Sequence, residues 1–84
     1  MPNAAHAPAY HDFLSRLRRG RVQAGLTQVA AARLLGKPQS YVSKCESGER
    51  RVDVVELVAF ATAYKLSIDY FIPRVPRTRP APKR

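Results

Sequence analysis

Gly36, Lys37 and Pro38 stand between two short helical patterns, and no continuous helix passes through that triplet. A glycine at the end of a helical run takes up the left-handed conformation that closes a C-terminus, and a proline two residues on has its backbone angle preset for the next helix. Before the triplet, Thr27 is a hydroxyl N-cap for Gln28 to Leu35, whose inward face is Ala31, Ala32 and Leu35. After it, successive residues turn by about 100° in a helix. Val42 and Cys45 therefore fall on one side, and Gln39, Ser40, Ser43, Lys44 and Ser47 on the other. Gly48 closes the second helix. One side packs, and the other is free to touch something.

That free face carries amide, hydroxyl and ammonium groups and no carboxylate, which suits the acceptor-rich edges and phosphates of a DNA major groove. A solvated helix has a similar composition, so the tight turn between two short helices is what favours recognition. Together with Arg21, the run Gly25-Leu26-Thr27-Gln28, Glu46 and Gly48, the stretch resembles the Cro/C1-type (xenobiotic-response-element) helix-turn-helix family. The resemblance extends from Leu17 to Phe71. It implies an all-α, compact five-helix lambda-repressor-like domain, with Arg21 paired to Glu46 as a structural ion pair. It also implies that Gln28 touches a phosphate and braces Gln39, the first residue of a major-groove helix over about residues 38–47.

A chain of 84 residues holds one domain with a modest core, and association adds to the stability of a domain near that lower size limit. Cys45 is the only cysteine, so no intrachain disulfide forms, and no Cys/His cluster has metal-ligand spacing. Cys45 reads as packing. No cofactor is expected, and His6 and His11 are assigned no role. No apolar run reaches membrane-spanning length and the first nine residues lack the pattern of a secretory signal, so the expected location is the cytoplasm. The net charge is +9, of which residues 73–84 contribute five positive charges and no negative ones. Residues 1–72 are thus moderately basic, and charge alone says only that polyanions are attractive partners.

Residues 1–9, with Pro2 and Pro8 and no periodicity, read as a flexible N-terminal arm, and residues 10–72 as the domain. The first helix is expected over Tyr10 to Ala24, from the spacing of Tyr10, Phe13, Leu14 and Leu17 and from Gly25 at its end. Arg16, Arg18 and Arg19 read as solvated, with one of them within reach of a phosphate. Gly20 stands where the family usually has a larger apolar residue, implying either a close helix approach or a locally weak helix. Pro38 replaces the Ser or Thr cap usual in the family, which leaves an amide to water or DNA.

After a polar loop, Asp53 and Glu56 form a capping-box variant, and Val54, Leu57, Val58, Phe60, Ala61 and Tyr64 give a helical apolar pattern ending near Lys65. The family prefers Gly or Asn at that end, so Lys65 is either strained or the helix ends less sharply. Ser67 is expected to cap a last short helix, Ile68 to Ile72. Ile68, Tyr70, Phe71 and Ile72 are more apolar groups than one and a half turns need: some cover the core, and the surplus marks a candidate dimerisation surface. Residues 73–84 read as a basic, proline-rich disordered tail that adds phosphate attraction or merely solubility.

The leading expectation is a sequence-specific DNA-binding transcriptional regulator, a small repressor acting as a homodimer on double-stranded DNA. Gln39, Ser40, Tyr41, Ser43 and Lys44 are the candidates for base reading, with Tyr41 able instead to pack. Thr27, Gln28, Ser47, Arg50 and Arg51 are the candidates for phosphate contact, the two arginines being equally well read as solvated. The alternative is an antitoxin or adaptor that uses the same fold to bind a protein partner; the tail lacks apolar anchors for that except Val75. An RNA-binding tail would need aromatic stacking groups it lacks. No enzyme is expected, because no nucleophile and base share a site.

Overall fold

The computed structural model describes residues 8–73, and they form five helices with no strand among them. They are α1 (Pro8–Gln23), α2 (Gln28–Leu35), α3 (Gln39–Ser47), α4 (Val54–Tyr64) and α5 (Ile68–Phe71). The arm and tail readings for residues 1–7 and 74–84 lie outside the described residues. α1 begins two residues earlier than the apolar spacing suggests. Pro8 opens it, as proline can in a first turn whose amides have no helical partner, so Pro8 and Ala9 belong to the helix.

Each helix sends a narrow apolar stripe inward: Phe13 and Leu17, Ala31 and Ala32, Val42 and Cys45, then Leu57, Phe60, Ala61 and Tyr64, with Phe71 from α5. Leu35 is only half-buried. The small side chains of Ala31 and Ala32 let α2 lie between α3 and α4, while α1 packs on α3 and α5. Thr27 accepts the Ala30 N–H at 3.0 Å and Gly36 closes α2 with φ 69°, so the turn that positions α3 forms as its residue types require.

Gly20 is buried because two helices meet there. A Cβ at this position would lie 2.9 Å from Phe71 Cε1 and 3.2 Å from Leu66 Cδ1. Of the two readings of Gly20, close approach is the one the fold uses. Phe71 is fully buried against it, which corrects its assignment to a dimerisation surface: the ring is core. Ile68 and Tyr70 are half-buried, Tyr70 donating its hydroxyl to Gln23 Oε1 at 3.2 Å, and Ile72 alone of the four is exposed.

α4 carries the full capping box, Asp53 Oδ1 accepting from the Glu56 N–H at 2.8 Å and Glu56 Oε1 from the Asp53 N–H at 3.0 Å. At its other end Lys65 adopts φ 58°, and the Leu66 N–H closes the motif on Ala61 O at 3.0 Å. The helix therefore ends sharply and Lys65 bears a left-handed strain of about 1 kcal/mol. Val54 and Val58, read as part of the apolar pattern, are exposed; only Leu57, Phe60, Ala61 and Tyr64 turn inward. Ser67 sits at the N-cap of α5 but makes no side-chain cap bond.

Candidate nucleic-acid interface

On α3 the side chains of Gln39, Ser40, Lys44 and Ser47 are exposed and Ser43 is half-buried. The single carboxylate of the helix, Glu46, is turned the other way. Its Oε2 accepts from Arg21 Nε at 2.6 Å and its Oε1 from Arg21 Nη2 at 3.1 Å, in a pair whose side chains are 6% and 11% exposed. Arg21 Nη1 also donates to the Leu26 carbonyl at 2.9 Å. The hydrogen-bonded carboxylate raises the guanidinium pKa, so Arg21 keeps its charge at any working pH. The charge that would repel DNA is thus neutralised inside the fold.

Glu46 Oε1 accepts a further bond, from Gln28 Nε2 at 3.0 Å, and Gln28 Oε1 accepts from Gln39 Nε2 at 2.8 Å. A continuous polar chain runs from Arg21 on α1 through Glu46 and Gln28 to the first residue of α3. Among the described residues Gln39 keeps its Oε1 and its second N–H unengaged. Those are the two groups a bidentate contact with adenine uses. Pro38, at the N-cap, makes no side-chain cap bond.

The flank of α3 is less available. Tyr41 stacks on Phe60 with ring centroids 6.1 Å apart, and Lys37 Nζ and Arg50 Cζ lie 5.2 and 4.9 Å from its ring centroid. Burial pushes its hydroxyl pKa up. Arg50 makes a two-pronged contact with Glu56, Nη2 to Oε2 at 2.7 Å and Nη1 to Oε1 at 3.0 Å. Arg50 is thus neither merely solvated nor, in this state, directed to a phosphate. Arg51 lies with Cζ 4.5 Å from the Tyr10 ring centroid, and the Tyr10 hydroxyl accepts the Val52 N–H at 3.2 Å. Thr27 Oγ1 accepts its cap bond and keeps its O–H to donate; Ser47 donates to the Lys44 carbonyl at 3.2 Å and accepts from the Glu49 N–H at 3.3 Å.

A polar cleft of about 310 Å³ opens where α1, α2 and α3 meet, lined by Arg18, Arg21, Gln28, Ser43, Glu46 and Ser47. Arg18 is exposed there, and no carboxylate among the described residues pairs with it, whereas Arg16 is held by Asp12 at 3.2 Å and by the Tyr70 carbonyl. In the sequence Arg16, Arg18 and Arg19 read alike. The available signal is that Arg18 stands three residues before Arg21 and so shares its helix face. Among the described residues no group of His, Cys, Asp or Glu side chains could hold a metal ion, and burial pushes the Cys45 thiol pKa up. No helix among them is long and apolar enough to cross a membrane.

The profile of a family described as a helix-turn-helix domain matches residues 12–69. The chain is 42% identical over 57 residues to the HTH-type transcriptional regulator PrpR of Mycobacterium tuberculosis (strain ATCC 25618 / H37Rv); that match covers 68% of this chain but 12% of the regulator's length. Among solved structures, the restriction-modification controller protein C.AhdI from Aeromonas hydrophila is similar with a TM-score of 0.67 and 36% identity, over 73% of this chain and 92% of that one. An XRE-family like protein from Pseudomonas syringae pv. tomato str. DC3000 is similar with a TM-score of 0.71 and 40% identity, over 75% of this chain and 77% of that one.

Proposed function

The chain belongs to the helix-turn-helix domain family, of the Cro/C1 type, and from that premise we propose that it is a sequence-specific DNA-binding transcriptional regulator that inserts α3 into the major groove. One observation carries this reading. α3 presents Gln39, Ser40, Ser43 and Lys44 outward while Glu46, its only carboxylate, is folded in and neutralised by Arg21. The Gln28 bond to Gln39 presets a base-reading side chain, which lowers the ordering entropy lost on binding. PrpR and C.AhdI bear names of regulators or controllers, in keeping with this role. Bound as a homodimer in the cytoplasm, the domain represses by occupying an operator.

Selection of bound sites from random duplex DNA tests the reading. A symmetric motif with half-sites one helical turn apart, about 34 Å, is the expected result. Enrichment of no duplex sequence would move the chain to the antitoxin or adaptor reading.

A further inference from the structure

We propose that the groove between the end of α2 and the second half of α4 is a binding site for a small amphipathic carboxylate, its apolar body lying in the groove and its head at Lys65. None of the residues that line this groove belongs to α3 or to the surface offered to DNA, so the site goes beyond the regulator reading. The space exists because Ala59 and Ala63, one helical turn apart on α4, leave open what longer side chains would fill. Leu26 from the α1–α2 turn and Leu34 and Leu35 from the end of α2 complete the wall, bounding about 810 Å³. Small-molecule sites commonly hold about 300–1,000 Å³. Leu34 is left 60% exposed at the rim, and a ligand body lying in the groove would take that apolar surface out of water.

The polar groups of the groove select the ligand's head. Lys65 stands at its edge, exposed, and no carboxylate among the described residues lies within ion-pair distance of it. The only carboxylate of α4, Glu56, is on the other half of the helix, committed to the capping box and to Arg50. The carbonyls at the helix end do not claim the ammonium either, because Ala61 O accepts from the Leu66 N–H at 3.0 Å and Thr62 O from the Lys65 N–H at 3.2 Å. The Thr62 hydroxyl donates to the Val58 carbonyl at 2.8 Å. An apolar wall with one uncommitted cation and no anion is the complement of an amphipathic monoanion; a doubly charged phosphate would ask for more than one cation.

The backbone gives a second, separate reason to look to Lys65. It is the one non-glycine residue among those described that has a positive φ, 58°. A glycine would hold that turn without strain, and strain of this kind persists where the side chain has a use. At this position the use available is the ammonium beside an apolar groove.

Titration of the nitrogen-15-labelled full chain with octanoate, and separately with uncharged 1-octanol, tests the site through its backbone amide shifts. Octanoate should give saturable shifts at Leu34, Ala59, Ala63 and Lys65 and leave those of Gln39 to Lys44 in place. Decanoate should bind more tightly, by about fourfold for each added methylene that the groove covers. Lys65→Gly removes the cation and relieves the left-handed backbone, so the variant should fold; it should weaken octanoate about threefold to fivefold and leave 1-octanol unchanged. Arg19→Gln, which removes the same charge from an exposed position elsewhere, should leave octanoate binding as it is. Leu34→Gln, at an exposed position, should weaken both ligands without lowering the urea midpoint. Shifts that do not saturate, shifts spread over the exposed arginines, or equal losses in Lys65→Gly and Arg19→Gln overturn the proposal. Groove amides that shift with protein concentration and not with octanoate would give the groove to a second copy of the chain, and overturn it as well.

Discussion

Gln39 donates its side-chain N–H to Gln28 Oε1 across 2.8 Å, and Gln28 is itself held by Glu46. The first side chain of α3 is therefore oriented by α2, and through Glu46 and Arg21 by α1. A flexible amide fixed before binding sacrifices less entropy on contact with a base edge.

Gln39→Ala should erase preference at one base pair per half-site, a loss of about 1–3 kcal/mol of discrimination. Gln28→Ala should blur preference at the same base pair while also weakening binding to all sequences. The double variant should lose less than the sum, because the two side chains act through one bond. Repeating the site selection and titrating matched and mismatched duplexes gives all three values. Additive losses would show that Gln28 does not orient Gln39.

Glu46→Gln and Arg21→Met should each lower the urea midpoint. The pair is nearly buried and Glu46 also anchors Gln28, so each change strands a partner; the expected cost is about 3–5 kcal/mol. Unchanged midpoints in both variants would remove the structural role.

How far the chain could be read before folding depended on whether a residue's role was local. The caps at Thr27 and Asp53 and the glycine stops at Gly36 and Gly48 act within a few residues, and their types announce them. Arg21 and Glu46 are 25 positions apart and were paired only through the family resemblance. Gly20 was ambiguous because its reason, the Phe71 ring, lies 51 positions away on a helix of four residues. Arg50 and Tyr41 stay open between DNA and the domain itself in the sequence, because neither periodicity nor charge shows that Glu56 and Phe60 engage them. On α4 nearly every residue is apolar, so the pattern gave the helix but not which side faces the core.

The acid limb of stability should carry the signature of Glu56. Arg50, and next the Asp53 N–H, pull its carboxyl from 4.5 down to about 2. A depressed folded-state pKa gives stability that is present above the unfolded value and lost as pH falls through the folded one. The urea midpoint of the wild type should exceed that of Glu56→Gln at neutral pH, and the gap should shrink between about pH 4.5 and pH 2. Because Arg50 is exposed to solvent, added salt should narrow the gap as well. A gap that does not vary across that window would mean the carboxylate contributes only its neutral capping geometry.

Arg18 and Arg50 should separate when DNA is the ligand, although both are exposed cations near α3. Arg18 lies in the cleft with Gln28, Ser43 and Ser47 and has no carboxylate partner among the described residues, so its charge is available to a phosphate that crosses the α1–α3 junction. Arg50 is held in two places by Glu56 and would have to leave that contact to bind DNA. Arg18→Gln should weaken binding to every sequence alike and reduce the slope of log affinity against log salt by about 0.9, the value for one phosphate contact. Its fold should be unaffected. Arg50→Gln should keep both the salt slope and the sequence preference while lowering the urea midpoint slightly, since an exposed pair contributes about 1 kcal/mol or less. If Arg50→Gln flattens the slope as much as Arg18→Gln does, the Glu56 pair opens on DNA, and the loop after α3 joins the phosphate-binding surface.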